Sequence, residues 1–321
     1  MADAQPADVF LSGLLFYDMV FTGLEKPPTL GAEVWTDQMG AGPGGIANFA
    51  VALSRLGART SLAAAFGADT YGDICWDILS RREGIDLSVS RRFTGWSTPV
   101  TVSLAYDDDR ALVTHGTPPP VTADELIGLP PASRAAMVHI GPWEQDWLAR
   151  AHAQGSLVFA DVGWDPSGAW SPDVLRQLSY CHAFLPNAME AMHYTGASTP
   201  AGALHRLADL VPVAVITCGA EGALAVDATT GESASVPGLP VPALDTTGAG
   251  DVFGAGFIVA SLAGWPLADR LRFANLTAAL SVLRLGGAPA APTWADIAAW
   301  RRDNGGTDYG FLDTAIADNE G

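Results

Sequence analysis

What most restricts this chain is a strand–helix rhythm that repeats along its length and breaks in two stretches. Residues 9–15, VFLSGLL, read as a buried first strand, and residues 46–57, IANFAVALSRLG, as a helix. In that helix Ile46, Phe49, Val51, Leu53 and Leu56 are apolar, and Gly57 supplies the stop. SLAAAF at 61–66 reads as the next strand and WDILSRREG at 76–84 as a helix with its own glycine stop. After residue 120 the rhythm returns in AMVHIG, SLVFADVG, AFLPNAMEA and VAVITCGAEGALAV. Strands joined through helices pair in parallel, so the expected class is α/β with a mainly parallel central sheet flanked by helices.

The breaks are informative. Residues 16–40 carry short extended pieces around PPTLG and EVWTD, and residues 97–116 read as a hairpin. There Val100, Val102 and Leu104 alternate with Thr101 and Ser103, and the acidic run Asp107–Asp109 reads as a solvated turn. Two separated β segments inside an α/β chain predict one small sheet packed over the main body. From about Asp303 the chain turns polar and glycine-rich, which predicts a loosely held tail.

The chain has 321 residues, 49% of them apolar and 16% charged, enough for a sizeable core in one large domain with an appendage. Acidic residues outnumber basic ones by 35 to 17, and the net charge of −18 repels nucleic acid and anionic lipid. No nucleic-acid or membrane partner is expected, although local fields can still admit an anionic substrate. Lys26 is the sole lysine, which removes Schiff-base chemistry and a P-loop lysine. Cys75, Cys181 and Cys218 stand far apart, as reduced thiols of a cytoplasmic protein would. The N-terminus lacks the basic and apolar regions of a signal peptide, and no apolar run reaches the ~18 residues of a membrane span.

The strongest chemical signal is Asp245–Thr246–Thr247–Gly248–Ala249–Gly250–Asp251, followed by the apolar VFGAGFIVASLAG. Small residues let backbone N–H groups converge on one point, and the following helix adds the positive end of its dipole. Such a hole suits the charge of a transferring phosphoryl group, with Asp251 beside it. A plain glycine-rich turn with a capping aspartate would give the same GAGD. The second signal is Gly42–Pro43–Gly44–Gly45–Ile46–Ala47–Asn48, where glycines before a helix allow close approach and Asn48 can donate and accept. An ordinary turn before a helix is the alternative. The segment is not GxGxxG, so a dinucleotide fingerprint fails here.

Together these segments resemble the PfkB, or ribokinase-like, carbohydrate kinase family. Gly13 and Asp18 sit where the family has its first-strand glycine and substrate aspartate, and PPTLGAE at 27–33 resembles its P-x-x-G-x-E stretch. GGIANFAVALSRLGA at 44–58 and DTTGAGDVFGAGF at 245–257 resemble its two signatures. LPNAMEA at 185–191 resembles N-x-x-E, and ITCGAEGALAV at 216–226 resembles T-x-G-x-x-G. The order agrees over roughly residues 9–295.

The resemblance implies a Rossmann-like sheet with a small β lid, built from about 16–40 and 97–116, in a single domain over 1–321. It implies an ATP-dependent kinase acting on a sugar hydroxyl. Asp18, Gly44, Gly45 and Asn48 would bind substrate hydroxyls, and Asn187 and Glu190 would organise Mg2+ through water. Thr217, Gly219, Gly222 and Asn275 would line the nucleotide site. Gly248, Ala249 and Gly250 would form the anion hole and Asp251 would be the base. Asp245 and Thr247 match positions of a monovalent-cation loop, with K+ the candidate ion. Lids of this kind also pair between subunits, which implies a homodimer.

Two departures stand out. Ala290 in GGAPAAPT (286–293) replaces the serine of several members at the cation loop. FADVGWDP (159–166) differs from the D-x-N-x-R of sugar-acid kinases, and Asp165 stands where they carry a basic residue, which argues against a carboxylated sugar. Several residues read more plainly. His115, His139, His152, His182, His193 and His205 lack paired-ligand spacing. The ten tryptophans read mostly as core or lid packing; for Trp35 and Trp96, in or beside the lid segments, core packing is the first reading and stacking on substrate the alternative, and Arg91 and Arg92 read as surface charge. Asn187 and Glu190 also fit a helix capping pair.

A helix start favours the anion of Asp251, which makes it a weak base. A loose phosphoryl-transfer transition state accommodates this, because the alcohol loses its proton late and the base needs position most. A nucleoside kinase of the same family is the first alternative, and a catalytically silent sugar-binding regulator the second. An intact GAGD argues against the latter.

Overall fold

The computed structural model describes residues 7–106, 109–163, 165 and 167–319. Its strands are β1 (Ala7–Ser12), β2 (Leu15–Thr22), β3 (Gln38–Gly45), β4 (Thr60–Ala63), β5 (Ala65–Gly67), β6 (Arg91–Phe93) and β7 (Val100–Tyr106). They continue as β8 (Asp109–His115), β9 (Ser133–Ile140), β10 (Leu157–Val162), β11 (Ala183–Phe184), β12 (Val213–Thr217), β13 (Ala223–Asp227) and β14 (Glu232–Val236). Among the described residues the main sheet has eight strands in the order β14-β13-β12-β11-β10-β9-β1-β4. From β4 to β12 the pairing is parallel, and β13 and β14 add an antiparallel edge. This is the expected α/β class.

The apolar run of β1 is buried on both faces because each face carries helices. Val9 and Leu11 enter one core with residues of the helices Ile46–Arg55, Ala249–Leu262 and Leu267–Ser281. Phe10, pointing the opposite way, joins the other core, where its ring meets Trp147 edge-on at 5.6 Å. The helices Asp146–Ala153, Ala188–Thr195 and Pro200–Leu207 cover that face.

A second sheet has the order β3-β2-β7-β8. β2 pairs antiparallel with β3 and parallel with β7, and β7 and β8 form the hairpin expected at 97–116, from Val100↔His115 to Tyr106↔Asp109. Asp107 and Asp108, the centre of the expected solvated turn, lie outside the described residues.

Several expectations need correction. The run 9–15 is not one strand: β1 ends at Ser12 and the chain turns into the second sheet at Leu15. Gly13 makes the turn at close quarters, since a Cβ there would lie 2.9 Å from Cβ of Ile46. The run 61–66 is divided at Ala64. The helix expected over 76–84 begins at Thr70, capped by Asp69, which accepts from the Gly72 N–H at 2.8 Å. PPTLG and EVWTD form no strand; they lie in the connection 23–37 between β2 and β3. The tail is docked rather than loose. Its helix Leu312–Asn319 buries Leu312 fully, Phe311 packs on Trp265, and Arg301 pairs with Asp313. Among the described residues no helix is long and apolar enough to cross a membrane.

Candidate active site

The helix Ala249–Leu262 starts from Gly248, whose φ of 73° lies in the left-handed region that favours glycine. Asp251 stands in its first turn. A Cβ on Gly250 would meet nothing within 4 Å, so the turn faces open space. Asp251 Oδ2 accepts from Asn48 Nδ2 at 2.8 Å, a contact between residues 203 positions apart. Asn48 is held closely: a Cβ on Gly248 would lie 3.1 Å from its Cγ, and one on Gly287 would lie 2.6 Å from its Oδ1. That Oδ1 is buried and has no hydrogen-bond partner among the described residues. The two glycine-rich segments thus meet at one carboxylate.

The other oxygen of Asp251, Oδ1, lies 3.7 Å from Nε2 of His139. His139 and Asp161 are register partners near the ends of β9 and β10, and their donor atoms and that of Asp251 lie within 4.8 Å of one another. Burial pushes the Asp161 carboxyl well above the usual carboxylate range, with the Glu190 charge adding to it. Burial also raises Glu190. For His139 burial works against protonation, but the contact with Asp251 and the charges of Asp251, Asp161 and Glu190 together raise it.

Asn187 and Glu190 form a reciprocal capping box on the helix Ala188–Thr195. Asn187 Oδ1 accepts from the Glu190 N–H and Glu190 Oε2 accepts from the Asn187 N–H, both at 3.0 Å.

Asp18 lies on β2 and pairs in register with Thr101 of β7. Gly44 leaves the room it occupies, since a Cβ there would fall 1.8 Å from Asp18 Oδ2. Gly45 has φ of 62°, and a Cβ on it would strike the Leu14 carbonyl oxygen at 2.4 Å. Burial pushes Asp18 up to about 7, with the charges of Asp251 and Asp245 adding and a hydrogen bond from Thr101 opposing. Asp18, the expected substrate aspartate, therefore lies within the field of the candidate base. Asp245 receives the Thr247 N–H on Oδ1 at 2.9 Å and the Gly286 N–H on Oδ2 at 2.8 Å, while Thr247 Oγ1 is buried with no partner among the described residues. Arg110, on β8, donates to Thr246 Oγ1 and so joins the second sheet to the glycine-rich loop.

The candidate nucleotide residues divide into two kinds. Thr217 ends β12 and Gly219, with φ of 56°, is exposed just beyond it. Gly222 and Asn275 are buried and shape the wall. A Cβ on Gly222 would lie 2.1 Å from the Val236 oxygen, and Asn275 Nδ2 donates to the Val236 and Pro237 carbonyls at 3.2 and 3.1 Å.

Sequence reasoning missed His139, Asp161, Gly287 and Arg110. Their signal lies in position: ligands of parallel α/β sheets gather at the carboxyl ends of strands, and His139 and Asp161 stand next to last in β9 and β10. Trp35 is 85% exposed, which corrects its reading as core packing. Trp96 donates to the Pro118 carbonyl at 3.0 Å. Arg92 pairs with Asp73 and Arg91 donates to the Glu125 carbonyl. Asp165 accepts the N–H groups of Ser167 and Trp170 and so shapes its own loop; Trp164 and Pro166 of the departing FADVGWDP segment lie outside the described residues.

The pfkB family carbohydrate kinase profile matches residues 13–294. A ribokinase of Bacillus subtilis is 30% identical over 303 residues, covering 89% of this chain and 96% of the relative. A nucleoside kinase of Methanothermobacter thermautotrophicus is 28% identical over 246 residues, 74% of this chain and 77% of the relative. The solved structure of the Arabidopsis thaliana ribokinase with ribose and ATP superposes with a TM-score of 0.75 at 22% identity, covering 92% and 98% of the two chains, a likeness of fold. A family match over most of the length, with a relative at 30% identity, places the chain in the pfkB family of carbohydrate kinases, as a phosphotransferase whose acceptor is an alcohol group.

Proposed function

We propose that the chain transfers the γ-phosphoryl group of ATP to a hydroxyl of a small sugar, with Asp251 as the base. The observation that carries this reading is the Asn48–Asp251 contact, which sets the substrate-side glycine turn against the start of the helix Ala249–Leu262. Asp18 and Asn48 would take the acceptor hydroxyls, with Gly44 and Gly45 keeping the space clear. The acceptor oxygen would then lie beside Asp251, and the backbone of Gly248, Ala249 and Gly250 would face the developing phosphoryl charge. The proton passes to Asp251 late, as bonding to phosphorus acidifies the alcohol. Thr217 and Gly219 would line the nucleotide, with Gly222 and Asn275 holding the wall.

The donor set fits Mg2+ held through water. Glu190 is a buried carboxylate with Oε2 committed to the cap, so its other oxygen would face the hydrated ion, while Asn187, whose Oδ1 is committed to the same cap, would hold Glu190 in place beside it. Bound Mg2+ supplies charge neutralisation along the triphosphate. For K+, Thr247 Oγ1, buried and without a partner among the described residues, is the oxygen on offer, while Asp245, already bonded to two amides, would keep the loop in shape.

In this reading residues 1–321 form one domain, and the second sheet is its lid, excluding water when acceptor binds. A homodimer through that lid, and a cytoplasmic setting consistent with the free thiols of Cys75, Cys181 and Cys218, complete the proposal. A nucleoside acceptor is the second reading, favoured by the nucleoside kinase relative. The test is a panel of sugars and nucleosides with Mg-ATP, following ADP release and phosphorylated product. Product from a sugar supports the first reading and from nucleosides alone the second. ATP turnover with neither, across a broad panel, overturns both.

A further inference from the structure

We propose that His139 is a positioning residue for the base, holding the Oδ1 side of Asp251 and coupling that carboxylate to Asp161 on the neighbouring strand. The proposal rests on Asp251 acting as the base.

A carboxylate held at one oxygen can still turn about its last torsion. Asn48 holds Oδ2 of Asp251 by a hydrogen bond of 2.8 Å. His139 approaches the opposite oxygen, with Nε2 3.7 Å from Oδ1. That distance is too long for a hydrogen bond and within reach of an ion pair, so the hold on Oδ1 depends on the charge of the ring. Two anchors on opposite oxygens fix the plane of the carboxylate, and its geometry matters more than its basicity in a loose transfer.

The surroundings supply that charge. From the helix Ala249–Leu262 the ring faces Asp251, from β10 Asp161, and from the helix Ala188–Thr195 Glu190, all carboxylates. From the helix Ile46–Arg55 the uncharged Phe49 meets it edge-on at 5.6 Å. Burial works against protonation of the ring, yet the three carboxylates raise His139 above its ordinary value near 6.5. The backbone beneath is fixed as well, since Gln145 Nε2 donates to the His139 carbonyl at 3.1 Å. The sign follows. The ring is charged below its raised value and loses its charge as pH rises through it, so the hold on Oδ1 is lost on the alkaline side.

The experiment uses the full chain with Mg-ATP and the best acceptor of the panel, both saturating, from pH 5.5 to 9. Saturation matters because Asp18, raised to about 7, titrates in the same range and acts through acceptor binding. Wild-type kcat is expected to fall on an alkaline limb centred above 6.5. His139→Gln, which keeps a donor but cannot titrate, is expected to lower kcat about 10-fold with KM values within about 3-fold, and to lack that limb. A folded His139→Gln with wild-type kcat, or one that raises KM alone, or one that keeps the limb, overturns the proposal. If His139→Gln does not melt cooperatively, the wild-type profile decides: a kcat flat from pH 6 to 9 overturns it. Asp251→Asn, measured alongside, separates the two levels. Full activity in that variant ends the base assignment itself, whereas its loss together with an indifferent His139→Gln ends only the role of His139.

Discussion

The glycine-rich floor of the site and the small sheet beside it are built in opposite ways. In the floor, polar side chains are buried and engaged with one another across long stretches of sequence. Asn48 bonds Asp251, Asp245 receives two amides, and Gly248 and Gly287 close on Asn48. The small sheet is open: Leu112 and Val113 of β8 are 56% and 64% exposed, and the connection 23–37 is mostly exposed. It reaches the floor through Asp18 and through Arg110 on Thr246. On the proposed reading the difference is a division of labour. Charge stabilisation needs groups set before substrate arrives, whereas excluding water needs a part that moves.

The largest expected effect falls on the floor. Asp251→Asn keeps the shape and the neighbouring amides but removes the proton acceptor, so kcat should fall about 10²–10⁴-fold with binding retained. ADP release at saturating substrates measures it, with thermal melting as control. The N-cap is Gly248, with no side-chain capping bond, so an Asp251 that only favoured the helix start would leave the rate near wild type when replaced by Asn, and more than about a tenth of wild-type kcat would end the assignment.

The next effect lies at the join. Asp18→Ala should raise acceptor KM at least ~10-fold, about 1.4 kcal/mol, with the ATP KM little changed. Gly44→Ala should do the same from the other side, because its Cβ would fall on the Asp18 carboxylate. A raised ATP KM with acceptor KM unchanged would move Asp18 out of the acceptor site.

Smaller effects are expected in the sheet itself. Acceptor should slow hydrogen exchange in 16–40 and 97–116, and Arg110→Met should weaken that protection and cost a few-fold in kcat. Equal protection with and without acceptor would make the sheet a fixed wall. The smallest expected effect is on stability. Asp18 is raised to about 7 when folded, so the proton it holds favours the native state at low pH, and that contribution is lost as pH rises through about 7. Asp18→Asn should therefore melt a few degrees above wild type at pH 8 and near it at pH 4. A constant difference across that range would mean that Asp18 does not titrate near 7.

Much of the main sheet was legible because apolar runs followed by glycine-stopped helices admit few arrangements. Asp251 was legible because its glycines precede an apolar helix. β3, QMGAGPGG, was not: it has no apolar alternation and owes its strand geometry to pairing with β2. The end of β1 was hidden because the apolar run VFLSGLL continues across the turn. The docked tail was hidden because Phe311 and Leu312 form only a short apolar stretch in a segment otherwise polar and glycine-rich. His139 and Asp161 stand in separate strands and meet through parallel register alone, which no local spacing records.

The strand order has a consequence for how the molecule is made. β1 takes β9 on one side and β4 on the other, so one flank of an early apolar strand waits until residues 133–140 have been synthesised. Asn48 waits longer for Asp251: 203 residues at ribosomal speed take roughly 10–40 s. Until β9 is made the nascent chain presents an unpaired parallel edge, and until the helix Ala249–Leu262 is made an uncovered apolar face, the surfaces most open to association with other chains. Slow translation upstream of β9 should therefore lower soluble yield more than an equal delay after the helix Ala249–Leu262.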